Sequence, residues 1–237
     1  MNCKFFLSLL TVMSLPVVGH TQEKEGAVPV AVRLVLHDPV HPVADLYYPD
    51  KTGAVVKLDF RPQDLTRELF MQPVNGSLVL YDKIAIDPQN PAASLAASVK
   101  LPADLKRAMV VVLPAAAGSK PAYRMVVIDD SATAFPKGES RVLPLVTVET
   151  AIQAGEHRLQ IHPGKITSVP PVKKRNEYNM AQTNFYYQQG EAWVPFTERQ
   201  LQFLDAYRRL FIVHVTPGAL QPSVTTIVDT ATAVPAR

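Results

Sequence analysis

Two β-sandwiches in tandem, built of antiparallel sheets with little helix, are predicted by three features of this 237-residue chain. Proline is abundant at 21 residues against 10 glycines, and the prolines punctuate short runs rich in Val, Ile, Leu, Tyr and Thr. That is the rhythm of strands divided by turns. The opening run alternates, with Val28, Val30, Val32, Leu34 and Leu36 on one parity and Pro29, Ala31, Arg33, Val35 and His37 on the other. Period two predicts a strand with one face inward and the other in solvent. Finally, segments of the first half recur faintly in the second.

Residues 1–19 read as a secretory signal peptide. Lys4 gives a positive start, a largely apolar run follows from Phe5 to Val18, and Val17-Val18-Gly19 offers small residues before an abruptly polar stretch at 20–26. The run is shorter than the ~20 residues a membrane-spanning helix needs. No later segment approaches that length, so no transmembrane segment is expected once the leader is removed. Strands are expected at 28–36, 53–60, 77–86, 94–101, 108–113, 122–129, 141–149, 156–162, 164–169, 182–188, 191–197, 209–216 and 223–229. Asn75-Gly76 suits a tight hairpin because both residues tolerate positive φ. One helix is expected at 198–207, where Thr197 and Gln200 have capping-box spacing ahead of Leu201, Leu204 and Tyr207. Residues 102–107 allow a single turn.

The repeat sets the domain plan. Leu46-Tyr47-Tyr48 echoes Phe185-Tyr186-Tyr187, residues 105–114 echo 207–217, and strands ending in Asp129 and Asp229 follow. On this alignment the first copy holds an extra hairpin near 77–100. The expected units are a sandwich at 27–131, a second at 132–230 and a C-terminal tail at 231–237.

Composition excludes several classes. The whole chain has a formal net charge of only +3, one unit of it from Lys4, with no clustered basic surface of the kind nucleic acid requires. Aliphatic and aromatic residues make up 47% of the chain and charged residues 19%, ample for a packed core. Cys3 is the only cysteine and lies in the leader, so the exported part has no disulfide, thiolate metal ligand or thiol nucleophile.

The runs at 32–50, 105–114, 123–145 and 157–171, with the turns Phe135-Pro136-Lys137-Gly138 and His162-Pro163-Gly164, resemble a family of uncharacterised secreted bacterial proteins. The resemblance implies export and two immunoglobulin-like sandwich units. It carries no catalytic motif.

Each candidate constellation has a plainer explanation. His37, Asp38, His41 and Asp45 place two imidazoles and two carboxylates in one short segment, the ligand types of a divalent metal site. Pro39 and Pro42 break helical geometry there, so an exposed turn is expected, with His37 on the solvent-facing parity of Arg33. His157 and His162 fall on opposite faces of one strand, and His214 suits a neutral core histidine. Ser140 lacks the setting of a nucleophile elbow, and Gly118-Ser119-Lys120 lacks that of a phosphate loop; both read as turns. Lys173-Lys174-Arg175 reads as a solvated loop. Tyr178, Phe185, Tyr186, Tyr187, Trp193 and Phe196 are expected mainly to pack the core and edges. A strand nevertheless turns one of Tyr186 and Tyr187 outward, where with Trp193 it offers a platform for sugar rings.

No catalytic, cofactor-binding or metal residue is therefore assigned, and no cofactor is expected. The expected role is that of an exported, non-enzymatic binding or assembly module in the periplasm, at the cell surface or outside the cell. Its expected partner is a cell-envelope protein or a polysaccharide, not nucleic acid. The alternative is a metal-dependent or carbohydrate-active hydrolase built on His37, Asp38, His41 and Asp45.

Overall fold

The computed structural model describes residues 28–38, 44–61 and 63–230. The leader, the polar stretch 20–26, His41 and the tail 231–237 lie outside them. The chain is all-β. Its first eight strands are β1 (Val30–Leu36), β2 (Tyr47–Pro49), β3 (Val55–Lys57), β4 (Leu69–Met71), β5 (Ser77–Tyr81), β6 (Leu95–Lys100), β7 (Arg107–Pro114) and β8 (Tyr123–Asp129). The next eight are β9 (Ser140–Pro144), β10 (Thr150–Ala154), β11 (His157–Ile161), β12 (Thr167–Val169), β13 (Met180–Gln189), β14 (Ala192–Gln202), β15 (Arg208–His214) and β16 (Ser223–Asp229). A short 3-10 turn at Pro91–Ser94 is the only helical element among the described residues, and no helix there is long and apolar enough to cross a membrane.

The strands form four sheets of four. The first unit has orders β4-β1-β7-β8 and β3-β2-β5-β6, and the second β12-β9-β15-β16 and β11-β10-β13-β14. Adding eight to each strand number of the first unit reproduces the second, so the two sandwiches repeat one topology. The expected extra hairpin is not one: β5 and β6 correspond to β13 and β14. The echo between 46–48 and 185–187 falls on β2 and β13, which are not equivalent strands, whereas the echoes on β7/β15 and β8/β16 are in place. Two of the sheets are also mixed rather than antiparallel, because β1 pairs parallel with β7 and β9 with β15.

Three hydrophobic cores order these sheets as four layers. In the first unit Val32, Leu34, Val110 and Val112 of one sheet meet Leu78, Leu80 and Ala97 of the other. In the second, Val142, Phe211 and Val213 meet Ile152, Ile161 and Phe185. The third core lies between the units, where Val35, Met109, Val111 and Ile128 pack on Leu143, Leu210, Ile212 and Ile227. Burying each such side chain stabilises by about 1.5–3 kcal/mol relative to exposure. The central sheets are thus buried on both faces, which explains why β7 and β15 read as nearly continuous apolar runs rather than alternating ones.

This third core corrects the expected solvent face of β1. The alternation is real, but Arg33 and His37 are only 5% and 2% exposed, because the second unit covers that face. Two further expectations fail locally. Residues 198–202 continue β14 instead of opening a helix, and Ser140 begins β9 instead of lying in a turn. The Asn75-Gly76 turn forms as expected, with φ of 50° and 70° and a bridge between Val74 and Ser77.

Candidate functional site

An open groove lies on the outer face of the β11-β10-β13-β14 sheet. Ile152, Ile161, Ala181 and Phe185 fill the core from its inner face, so the alternate residues must face out. Register arranges them in rows across the strands. Gln160, Ala151, Tyr186 and Pro195 form one row, and Arg158, Gln153, Asn184 and Glu198 the next. Trp193 stands opposite Gln188, diagonal to Tyr186. Because Ala151 is short, it leaves a hollow between Gln160 and Tyr186. The result is a groove of about 560 Å³ lined by Ala151, Gln153, Arg158, Gln160, Tyr186 and Trp193.

Hydrogen bonds hold its walls. Gln182 Nε2 donates to Asn184 Oδ1 at 2.6 Å, and Asn184 Nδ2 donates to the Tyr186 hydroxyl at 3.2 Å, fixing the ring from below. On the other wall Gln160 Nε2 donates to Glu149 Oε2 at 3.1 Å, and Glu149 also pairs with His162. The His162 bond, with that of Gln160, holds the Glu149 carboxyl below its ordinary range. Trp193 is 43% exposed, while Tyr187 turns inward against Phe196 with centroids 6.0 Å apart. Of the aromatic group, then, Phe185, Tyr187 and Phe196 pack the sandwich, whereas Tyr186 and Trp193 present their rings to the groove. The amides around them were overlooked in the sequence. Their signal is the polar series Gln182, Asn184, Tyr186, Gln188 at period two, alternating with Ala181, Thr183, Phe185 and Tyr187.

A second feature lies where the units meet. His37, at the end of β1, stacks edge-on against His214 of β15 with ring centroids 4.5 Å apart. The pair borders a crevice of about 290 Å³ with Asp38, Leu113, Arg124 and Leu145. Among the described residues neither ring nitrogen of His37 has a hydrogen-bond partner, while His214 Nε2 meets Thr225 Oγ1 at 3.1 Å. Burial, reinforced by neighbouring His214, pulls the His37 pKa down to about 4 against the opposing effect of Asp38. Burial lowers His214 as well. Both rings are therefore neutral near pH 7. Asp45 forms an exposed ion pair with Lys57 at 2.8 Å. Among the described residues, no group of three or more His, Cys, Asp or Glu side chains is placed to hold a metal ion.

The remaining candidates have structural partners. His157 Nε2 lies 3.2 Å from the Pro171 carbonyl, on the face of β11 opposite His162. The basic run is pinned: Glu156 accepts the backbone N–H groups of Lys173 and Lys174 at 2.7 and 2.9 Å, and Arg175 donates to the Phe203 carbonyl. Although burial opposes it, that capture draws Glu156 down to about 2.

Fold and surface together define an all-β protein of two tandem sandwich units, one of which carries an open aromatic and amide groove. No protein-family model matches the chain, and no curated protein is significantly similar to it.

Proposed function

We propose that this protein is an exported, non-enzymatic binding module that engages a component of the bacterial cell envelope through the outer face of its second unit. The observation that carries this reading is the groove itself. Two aromatic rings and a set of amides line an open sheet face, and hydrogen bonds fix Gln160, Gln182, Asn184 and Tyr186 before any partner arrives. Preorganised polar groups of this kind limit the ordering cost of binding. The leader-like residues 1–19 and the lack of cysteine beyond Cys3 support export. The resemblance to secreted bacterial proteins with immunoglobulin-like units belongs to the same reading. Paired four-stranded sheets support it, and the parallel β1–β7 and β9–β15 pairs are a departure from it.

The test is capture from a cell-envelope fraction by the immobilised mature protein, set beside its Trp193→Ala/Tyr186→Ala variant. The wild type is expected to retain an envelope component that the variant loses. Equal retention by both, or none by either, would overturn the assignment to this face.

A further inference from the structure

We infer that the occupant of the groove is a neutral polysaccharide chain, an inference that rests on the binding role proposed above and names its ligand class. Hydroxyl-rich chains need partners that both donate and accept, and a carboxamide does both from one side chain. Gln153 and Gln160 line the groove, and Gln182, Asn184 and Gln188 share its face. The apolar C–H faces of sugar rings need flat aromatic surface, which Trp193 and Tyr186 supply from adjacent strands. Diagonal neighbours on a sheet stand about 7–8 Å apart, so the two rings serve a run of linked sugars rather than a single one. The Tyr186 hydroxyl, already accepting from Asn184, still has its own proton to give a ligand.

Charge points to a neutral chain. The charges around the groove are of both signs, with Arg158 lining it and Glu149 and Glu198 at its margins, so no cluster of one sign among the described residues selects an anionic polymer. A protein partner would leave the row of amides to be satisfied in a buried contact, where each unpaired group costs about 1–3 kcal/mol. Sugar hydroxyls can both donate to and accept from such groups. On the corresponding sheet of the first unit, the face opposite the core-facing Leu78 and Leu80 carries Val79 and Tyr81, both buried, with Tyr47 paired to Tyr81, and its strands hold no amide side chain. One copy of the repeated scaffold has thus been specialised.

Because Trp193 is the only tryptophan, its fluorescence reports occupancy of the groove directly. The mature protein would be titrated with soluble oligosaccharides of cellulose, chitin, xylan and β-1,3-glucan, and tested for retention on the insoluble polymers and on purified peptidoglycan sacculi. Saturable binding to at least one neutral glycan is expected, little changed by 1 M NaCl. Trp193→Ala and Gln153→Ala should each weaken retention about tenfold or more. Tyr178→Ala, which removes a ring 68% exposed that does not line the groove, should leave retention unchanged. Thermal melts of each variant separate loss of binding from loss of fold. Binding to none of the neutral glycans, including binding to sacculi alone, binding abolished by salt, or equal losses from Tyr178→Ala and Trp193→Ala would overturn the inference. Should the envelope capture instead yield a protein that depends on the same face while no glycan is retained, the binding role stands and the polysaccharide inference falls.

Discussion

Arg33 and Arg208 each reach both Asp130 and Asp229 across the contact between the units. Arg33 holds Asp130 at 2.8 and 2.9 Å and Asp229 at 2.7 and 2.8 Å, and Arg208 Nη2 meets Asp130 at 2.7 Å. Every member is at least nine-tenths buried, and each unit supplies one guanidinium and one carboxylate, so the cluster is neutral overall. Burial alone would raise the Asp229 pKa, but the bond and charge of Arg33, joined by Arg208, hold it below the carboxylate range. Breaking such a pair from one side strands a buried charge, a loss of about 3–5 kcal/mol. His37 sets a different and higher pH window. The unfolded chain takes up a proton near 6.5 that native His37 refuses until about 4. Its contribution is therefore complete above pH 6.5 and is lost as pH falls toward 4, by about 2–3 kcal/mol. His214, Asp38 and Arg124 border the same crevice, and His214 adds to the slope with the same sign. Urea unfolding between pH 7 and 4 should display this fall, and His37→Leu should flatten it; an unaltered slope in the variant would assign the effect elsewhere. From the sequence, Arg33 and His37 were correctly grouped on one face of β1. Parity cannot say what covers a face, and so neither the cluster nor the crevice was legible there.

Strand existence was the most legible level, because Val, Ile, Tyr and Thr runs bounded by Pro and Gly leave few alternatives. The strands β2, β4 and β10 and the end of β14 fell outside the expected runs. Leu69–Met71 has only three residues, too few for a period to emerge, and it is a strand because it pairs with β1. Gln200, Leu201 and Gln202 belong to β14 because β13 offers a partner along almost its whole length, which outweighs a weak capping pattern. At the groove the aromatic residues were visible in sequence, but that Tyr186 rather than Tyr187 faces out, with Trp193 on the same face, depended on what packs beneath β13 and on the bulged register with β14. Turns can be ranked by geometry. Gly155 and Gly164 both have positive φ, at 54° and 70°, but a Cβ on Gly155 would sit 2.5 Å from Val172 Cγ1, whereas nothing lies within 4 Å of Gly164. Gly164→Ala should cost about 1 kcal/mol from backbone strain alone, and Gly155→Ala about 2–4 kcal/mol once the clash with a fully packed Val172 is added. Denaturation midpoints in urea check the order; equal losses would mean that the β10–β11 turn relaxes freely.

At the scale of the whole molecule, repetition explains the layout. Equivalent strands β1 and β9, β7 and β15, and β8 and β16 contribute residues to the third core, so each unit meets the other through the same face. The segment joining them is part of this contact rather than a free tether. Phe135 is buried, Arg208 donates to its carbonyl at 2.8 Å, and the guanidiniums of Arg208 and Arg141 lie over its ring at 4.6 and 5.1 Å. With the central sheets covered on both faces, the proposed binding role falls to the outer surfaces, and of the two outer sheets the strands of the second unit alone add amides to aromatic rings. A body joined in this way should unfold as one. Trp193 reports on the second unit alone, whereas far-UV circular dichroism reports on both, so urea unfolding followed by the two signals tests the shared core directly. Coincident transitions with one midpoint are expected; tryptophan fluorescence and dichroism separating into two midpoints would contradict it.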